Sequence, residues 1–158
     1  MITIDELMTS KPFTLSENDS VEDARRIMTE KHIRHIPITD DNKKLLGLVT
    51  QRDVLEATHP DADNSNIKLS DIMIRDVSVI HQSSSVRQAA IFLRSHKYGC
   101  LPVVSNNRLV GIITDTDFID IAINLLEQVE ITEDTTDDID YEPDDMDDID
   151  LPTLDEEF

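Results

Sequence analysis

Gly47-Leu48-Val49-Thr50-Gln51-Arg52-Asp53 and Gly111-Ile112-Ile113-Thr114-Asp115-Thr116-Asp117 write one pattern twice: a glycine, two aliphatic residues, a threonine, and an aspartate three places on. Each is an apolar, β-rich run that reaches a hydroxyl and then a carboxylate at capping-box spacing, so a strand running into a helix start is the local reading. The duplication continues outward. Leu45 to Thr50 matches Leu109 to Thr114, and Asp53 matches Asp117, at an offset of 64. Upstream of a turn that is one residue shorter in the second copy, the offset is 65: Ile36-Pro37-Ile38 matches Leu101-Pro102-Val103, Ala24 matches Ala89, Ser20-Val21 matches Ser85-Val86, and Leu7-Met8 matches Ile72-Met73. A repeat decides the architecture before any single residue does.

Each copy reads alike. Phe13 to Leu15 is a short extended run, and Ser20 caps a helix with Val21, Ala24, Ile27 and Met28 on one face. Ser85, with Gln88 three residues on, opens the equivalent helix, whose stripe is Val86, Ala89, Ala90 and Leu93. Proline-bearing strands follow, joined into hairpins by Asp40-Asp41-Asn42-Lys43 and by Ser105-Asn106-Asn107. A second helix starts near Asp53, and a longer one near Asp117 carries Phe118, Ala122, Leu125, Leu126 and Val129. The expected fold is α/β (α+β): two β-α-β-β-α units, residues 4–58 and 71–126, with a polar connector over 59–70 and an acidic tail over 127–158.

The net charge of −20 is unevenly spread. Residues 1–126 hold all 14 Lys and Arg against 18 acids, whereas residues 127–158 hold 16 acids and no base. A tail of that composition buries too little apolar surface to offset the entropy of ordering, so disorder is expected over 130–158. The apolar residues set among its acids, from Ile139 to Phe158, suggest an interaction segment. The body offers no stripe of Lys and Arg for phosphate backbones, and nucleic acid is not an expected partner. No apolar run has the length of a membrane-crossing helix, and the first residues lack a secretory signal pattern, so a cytoplasmic location is expected. One cysteine, Cys100, excludes an internal disulfide.

The two strand-to-helix corners are where function is sought. A carboxylate on a first helical turn can accept both hydroxyls of a cis-diol, which makes Asp53 and Asp117 candidates for gripping a ribose. Thr50 and Thr114 stand where exposed backbone N–H groups favour an anion, and could help hold a phosphate. The same residues also read as ordinary capping boxes that stabilise a helix start by about 0.5–2 kcal/mol without any ligand. Gly47 and Gly111 mark either a close backbone approach or a tight strand contact.

The duplicated Gly-apolar-apolar-Thr-x-x-Asp, preceded by an apolar-Pro-apolar strand and a capped helix, resembles the cystathionine-beta-synthase-type (CBS) domain over about residues 4–126. That resemblance implies two units packed pseudo-symmetrically through their sheets and binding an adenine nucleotide or a related adenosyl ligand (AMP, ADP, ATP or S-adenosylmethionine) between them. By the same correspondence Leu48, Thr50, Arg52 and Asp53 face Ser78, Tyr98 and Gly99, while Ile112, Thr114, Thr116 and Asp117 face Phe13, Ile33 and Arg34. Arg52 in the first cleft suggests that this one takes more phosphates. The implied role is regulatory and non-catalytic, toward a protein partner the sequence does not name, in a homodimer joined through the helices after each hairpin. The alternative is an interaction protein with degenerate clefts that acts through its acidic tail.

Other chemistries fare poorly. His32, His35, His59, His81 and His96 show no spacing of a metal site, and no metal is expected. Cys100 on an apolar strand reads as a small hydrophobe. Three glycines are too few for a P-loop or a dinucleotide fingerprint, and no base or metal cluster supports a nucleotide hydrolase.

Overall fold

The computed structural model describes residues 2–96 and 99–134. The chain divides into a unit ending at Ile121 and a second beginning at Ala122. The first holds the whole of the first repeat and the second as far as Ile121.

Helix α1 (Ile4–Leu7) and strand β1 (Thr9–Ser10) open the chain, followed by α2 (Val21–Lys31), the hairpin β2 (His35–Thr39) and β3 (Leu45–Thr50), and α3 (Gln51–Ala57). The second copy runs α4 (Leu69–Ile72), β4 (Ile80–His81), α5 (Val86–Ser95), β5 (Cys100–Ser105), β6 (Arg108–Thr114) and α6 (Asp115–Asp134). Both long repeat helices start as their sequences require. Ser20 and Asp23 exchange bonds of 3.2 and 3.0 Å around the start of α2, and Ser85 and Gln88 do so at 3.1 Å before α5. The buried faces are Val21, Ala24 and Met28 on α2, and Ala89 and Leu93 on α5.

The two sheets are versions of one design. In the second, β6 lies between β1 and β5, and β5 pairs in parallel with β4. In the first, β2 and β3 form the ladder, and its edges are reduced to single bridges from Ile74 to Leu48 and from Leu15 to Ile38. The extended run expected at Phe13 to Leu15 is thus one bridge rather than a strand. The β5–β6 turn uses Asn106 and Asn107, both at positive φ (50° and 60°), which is the backbone of a tight hairpin turn that Asn tolerates.

The arm that opens each copy is exchanged, which the linear repeat does not reveal. Ile4 is fully buried among Ile80, Ala89, Leu101, Val103 and Ile113 of the second copy. Its counterpart Leu69 is buried among Val21, Ala24, Ile36, Ile38 and Val49 of the first. Strand β1 pairs with β6, Thr9 opposite Ile112, while Ile74 and Leu48 exchange N–H···O bonds of 2.8 and 2.9 Å. The two glycines serve this exchange. A Cβ on Gly111 would lie 2.9 Å from Met8 Cγ and 3.1 Å from the Thr9 carbonyl, and one on Gly47 would lie 2.9 Å from both Met73 Cγ and the Ile74 carbonyl. A third buried cluster, Leu48, Cys100 and Ile112, joins the two sheets, giving the pseudo-symmetric packing expected of the pair.

The connector is more tied than its composition suggests. Asn64 is buried, its Nδ2 donating to the His59 carbonyl (3.1 Å) and its Oδ1 accepting from the His59 N–H (3.2 Å). Helix α6 continues to Asp134, beyond residue 126 where the second unit was expected to end and into the stretch expected to be disordered. From Ala122 to Thr132 its residues are exposed. The rest of the tail lies outside the described residues.

Candidate functional site

At the first corner β3 delivers Thr50, and α3 begins at the next residue. Asp53 Oδ2 accepts from both the Thr50 backbone N–H and the Thr50 hydroxyl, each at 2.8 Å, while the Asp53 N–H donates back to Thr50 Oγ1 at 3.3 Å. At the second corner Asp117 Oδ2 accepts the Thr114 N–H at 2.8 Å, but the hydroxyl stands at 3.5 Å. The first corner is a complete capping box and the second shares its carboxylate half; at both corners Oδ2 is the engaged oxygen and Oδ1 is left outside. The corners differ in one chemical respect. The Thr50 proton is held by Asp53, whereas the looser Thr114 hydroxyl is the better placed to turn toward a ligand.

A hollow of about 450 Å³ opens at the first corner. Thr50, Arg52, Asp53 and Gly99 line it, together with Arg34, His35, Gln51, Ile74 and Asp115. Two expected members do not reach it. Leu48 is wholly buried, its side chain packed with Cys100 and Ile112 between the two sheets, while Ile74, bonded to it through the backbone, lines the hollow instead. Ser78 stands where the other copy has Phe13, and its short side chain is half-buried away from the lining. Tyr98 lies outside the described residues. Gly99 adopts φ +56°, and a Cβ there would meet Asp115 Oδ2 at 3.0 Å, so glycine lets this wall sit against the carboxylate.

The second hollow, about 320 Å³, gathers all seven residues assigned to it: Phe13, Ile33, Arg34, Ile112, Thr114, Thr116 and Asp117. Thr9, Lys11, Pro12, His32, His35 and Asp115 complete the wall. Thr9 occupies the place that Ile74 holds in the first hollow, and beside this smaller residue Ile112 keeps 7 % exposure. The Lys31 ammonium lies 5.3 Å from the centre of the Phe13 ring.

Arg34, His35 and Asp115 line both hollows, although Arg34 was expected in one alone. The missed members, Ile74 and Thr9 above all, come from the exchanged arms. Their only trace in sequence is Leu7-Met8 repeating as Ile72-Met73 just upstream. Burial raises the Asp117 pKa, and the charges of Asp120 and Asp115 add to that, against a lowering by the bonds from Thr114. Burial, then Asp115 and Asp117, push the Cys100 thiol far above its ordinary range, which keeps it protonated. Among the described residues no group of three or more His, Cys, Asp or Glu is placed to hold a metal ion. Nor is any helix there long and apolar enough to cross a membrane.

The family model of the CBS domain matches twice, over residues 4–59 and 69–124. The chain belongs to the CBS domain family. A Vibrio cholerae protein given a provisional role in acetoin utilization (AcuB) is 45% identical, with a TM-score of 0.74 over 83% of this chain and 97% of that one. A CBS domain pair crystallised with 5′-methylthioadenosine and S-adenosyl-L-methionine is 27% identical (TM-score 0.70; 78% and 98% covered). An Arabidopsis thaliana CBS-pair protein solved with AMP is 26% identical (TM-score 0.70; 79% and 98% covered). The chain spans about a fifth to two fifths of the first curated relatives it matches. One is a homoserine O-acetyltransferase of Methanococcus vannielii, 33% identical over 107 residues, which are 68% of this chain and 22% of that protein.

Proposed function

We propose that this CBS pair is a non-catalytic regulatory module that binds an adenosyl ligand, AMP, ADP, ATP or S-adenosylmethionine, in its two hollows. The observation that carries the reading is the pair of half-buried carboxylates, Asp53 and Asp117, each capped through one oxygen and lining a hollow of ligand size. In this reading Oδ1 of each accepts the ribose hydroxyls. Phe13, Ile33 and Ile112 hold the base in the second hollow, and Ile74 does so in the first. Arg52 and Arg34 draw phosphate into the first hollow, while Thr114, Lys11 and Arg34 serve the second. Relatives crystallised with adenosyl compounds support the ligand class.

The test is thermal unfolding of the full chain with each of the four ligands. Saturation at 100 times Kd adds about 2.7 kcal/mol to stability. A melting temperature that no adenosyl compound moves refutes the reading and favours an interaction protein acting through its acidic tail. The partner in assembly is a second copy. Helix α6 exposes Ile119, Ile123 and Leu126 at spacings of four and three, a continuous apolar stripe in water. Light scattering at micromolar concentration is expected to return twice the mass of one chain, and a monomer mass removes the dimer.

A further inference from the structure

The duplicated scaffold makes a second pair of hollows at the hairpin ends, one of which shares Lys11 and Pro12 with the second corner hollow. One, about 480 Å³, is lined by Lys11, Lys43 and Arg108 with no acid among its walls. Among the described residues none of these three cations takes part in an ion pair. Each comes from a different segment, and backbone bonds draw the segments together. The Lys11 N–H donates to the Val110 carbonyl (3.4 Å), and the Leu109 N–H donates to the Lys43 carbonyl (2.9 Å). Lys11 and Lys43 both hold positive φ (49° and 63°), a conformation unfavourable for residues with a Cβ that the surrounding bonds must sustain. Thr14 and Thr39 add hydroxyls, and Leu109 and Val110 give an apolar floor.

The pseudo-symmetric counterpart, about 440 Å³, is a control that the molecule supplies. Val79 and Val104 stand there where the Lys11 hollow has Thr14 and Thr39, Asn107 replaces Lys43, and Lys44 and Arg75 are the two cations of its wall. Asp76 is the repeat equivalent of Lys11. The fold therefore produces the concavity twice, but the hydroxyls and the third cation occur in one copy, so that lining is not a by-product of the scaffold.

We propose that the hollow of Lys11, Lys43 and Arg108 is an anion site distinct from the two corner hollows, taking a small multiply charged phosphate compound. Two lysines and an arginine lining one hollow without a carboxylate suit phosphoryl oxygens, which can accept from all three and from the threonine hydroxyls. Lys11 also lines the second corner hollow, so Lys43 and Arg108, which line neither corner hollow, are what tell this site apart from the adenosyl reading.

Pyrophosphate is the probe, titrated into the full chain while backbone amide resonances are followed. The expected result is saturable shifts at Lys43, Arg108 and Leu109. A double variant, Lys43→Asn with Arg108→Gln, is expected to bind there at least about tenfold more weakly, as loss of charge-assisted contacts requires. Asn is the residue at the twin position and tolerates positive φ. Any shifts at Gln51 and Arg52 of the first corner are expected to persist in that variant, which shows it folded. Shifts confined to the corner residues, or equal affinity in the folded double variant, overturn the proposal.

Discussion

Asp53→Asn separates the two roles that one carboxylate is asked to play. In the folded chain Asp53 Oδ2 accepts two bonds from Thr50, both at 2.8 Å. An asparagine carbonyl oxygen has two lone pairs and can take both, losing only the charge-assisted part, about 0.5–1 kcal/mol of stability. On the other side the substitution puts an NH₂ where Oδ1 stood. A donor facing two ribose hydroxyls replaces an ionised acceptor, removing one or two charge-assisted bonds. Discounted for a half-exposed site, that is about 2–4 kcal/mol, or roughly 30- to 700-fold in Kd. Asp53→Ala instead breaks the box too and costs a further 0.5–2 kcal/mol or so in the empty protein. Calorimetric titration with AMP and thermal unfolding of the empty chain read the two quantities separately. The expected pattern for Asp53→Asn, and for Asp117→Asn at the other corner, is near-native melting with strongly weakened binding. If both single variants and the double bind AMP as tightly as wild type, the sugar is not held by these carboxylates and the capping role is all they have.

Arg52→Ala should weaken ATP more than AMP, with the triphosphate losing roughly tenfold because an exposed guanidinium is partly screened; equal loss for both nucleotides in calorimetry counts against Arg52 as a phosphate residue. The raised Asp117 pKa makes its ionisation costly to the fold: below the unfolded value of 3.8 neither state is charged, and the penalty appears as pH rises through the folded value. Wild type is therefore expected to lose stability relative to Asp117→Asn as pH rises above 3.8, and parallel melting profiles of the two across that rise would contradict the shift. Gly111→Ala places a Cβ 3.1 Å from the Thr9 carbonyl and against the Met8 side chain. The arm has to lift, at about 1–3 kcal/mol in denaturant titration, and Met8→Ala should restore only part of the loss because the carbonyl contact remains.

The helix caps and the hairpins were legible because their information is local or repeats in register; the lining of the second hollow was implied by the family resemblance. Ser20 with Asp23 and Ser85 with Gln88 signal helix starts within four residues, whereas the grouping of Phe13, Ile33, Arg34 and Ile112 is what the resemblance to the CBS domain implies. The first hollow was less legible. Leu48 was placed there by the same resemblance, which does not say what packs on its side chain: Cys100 and Ile112 of the other copy bury it. Ser78 shows the converse: equivalence by repeat locates a backbone position, and the length of the side chain decides whether it reaches the site.

The exchanged arms also change what a ligand could do to this molecule. Thr9 lines one hollow and Ile74 the other, and each belongs to an arm whose anchor, Ile4 or Leu69, is buried in the opposite copy's core. A group pressed against Thr9 or Ile74 therefore bears on both copies at once, without an interface of its own having to move. Gly47 and Gly111 hold those arms within van der Waals range of the very strands that end in Thr50 and Thr114. Packing this close transmits small displacements instead of absorbing them. Coupling between occupancy and the relative placement of the two copies then requires only that the ligand prefer one seating of the arm, and the arm residues are where that preference is to be sought.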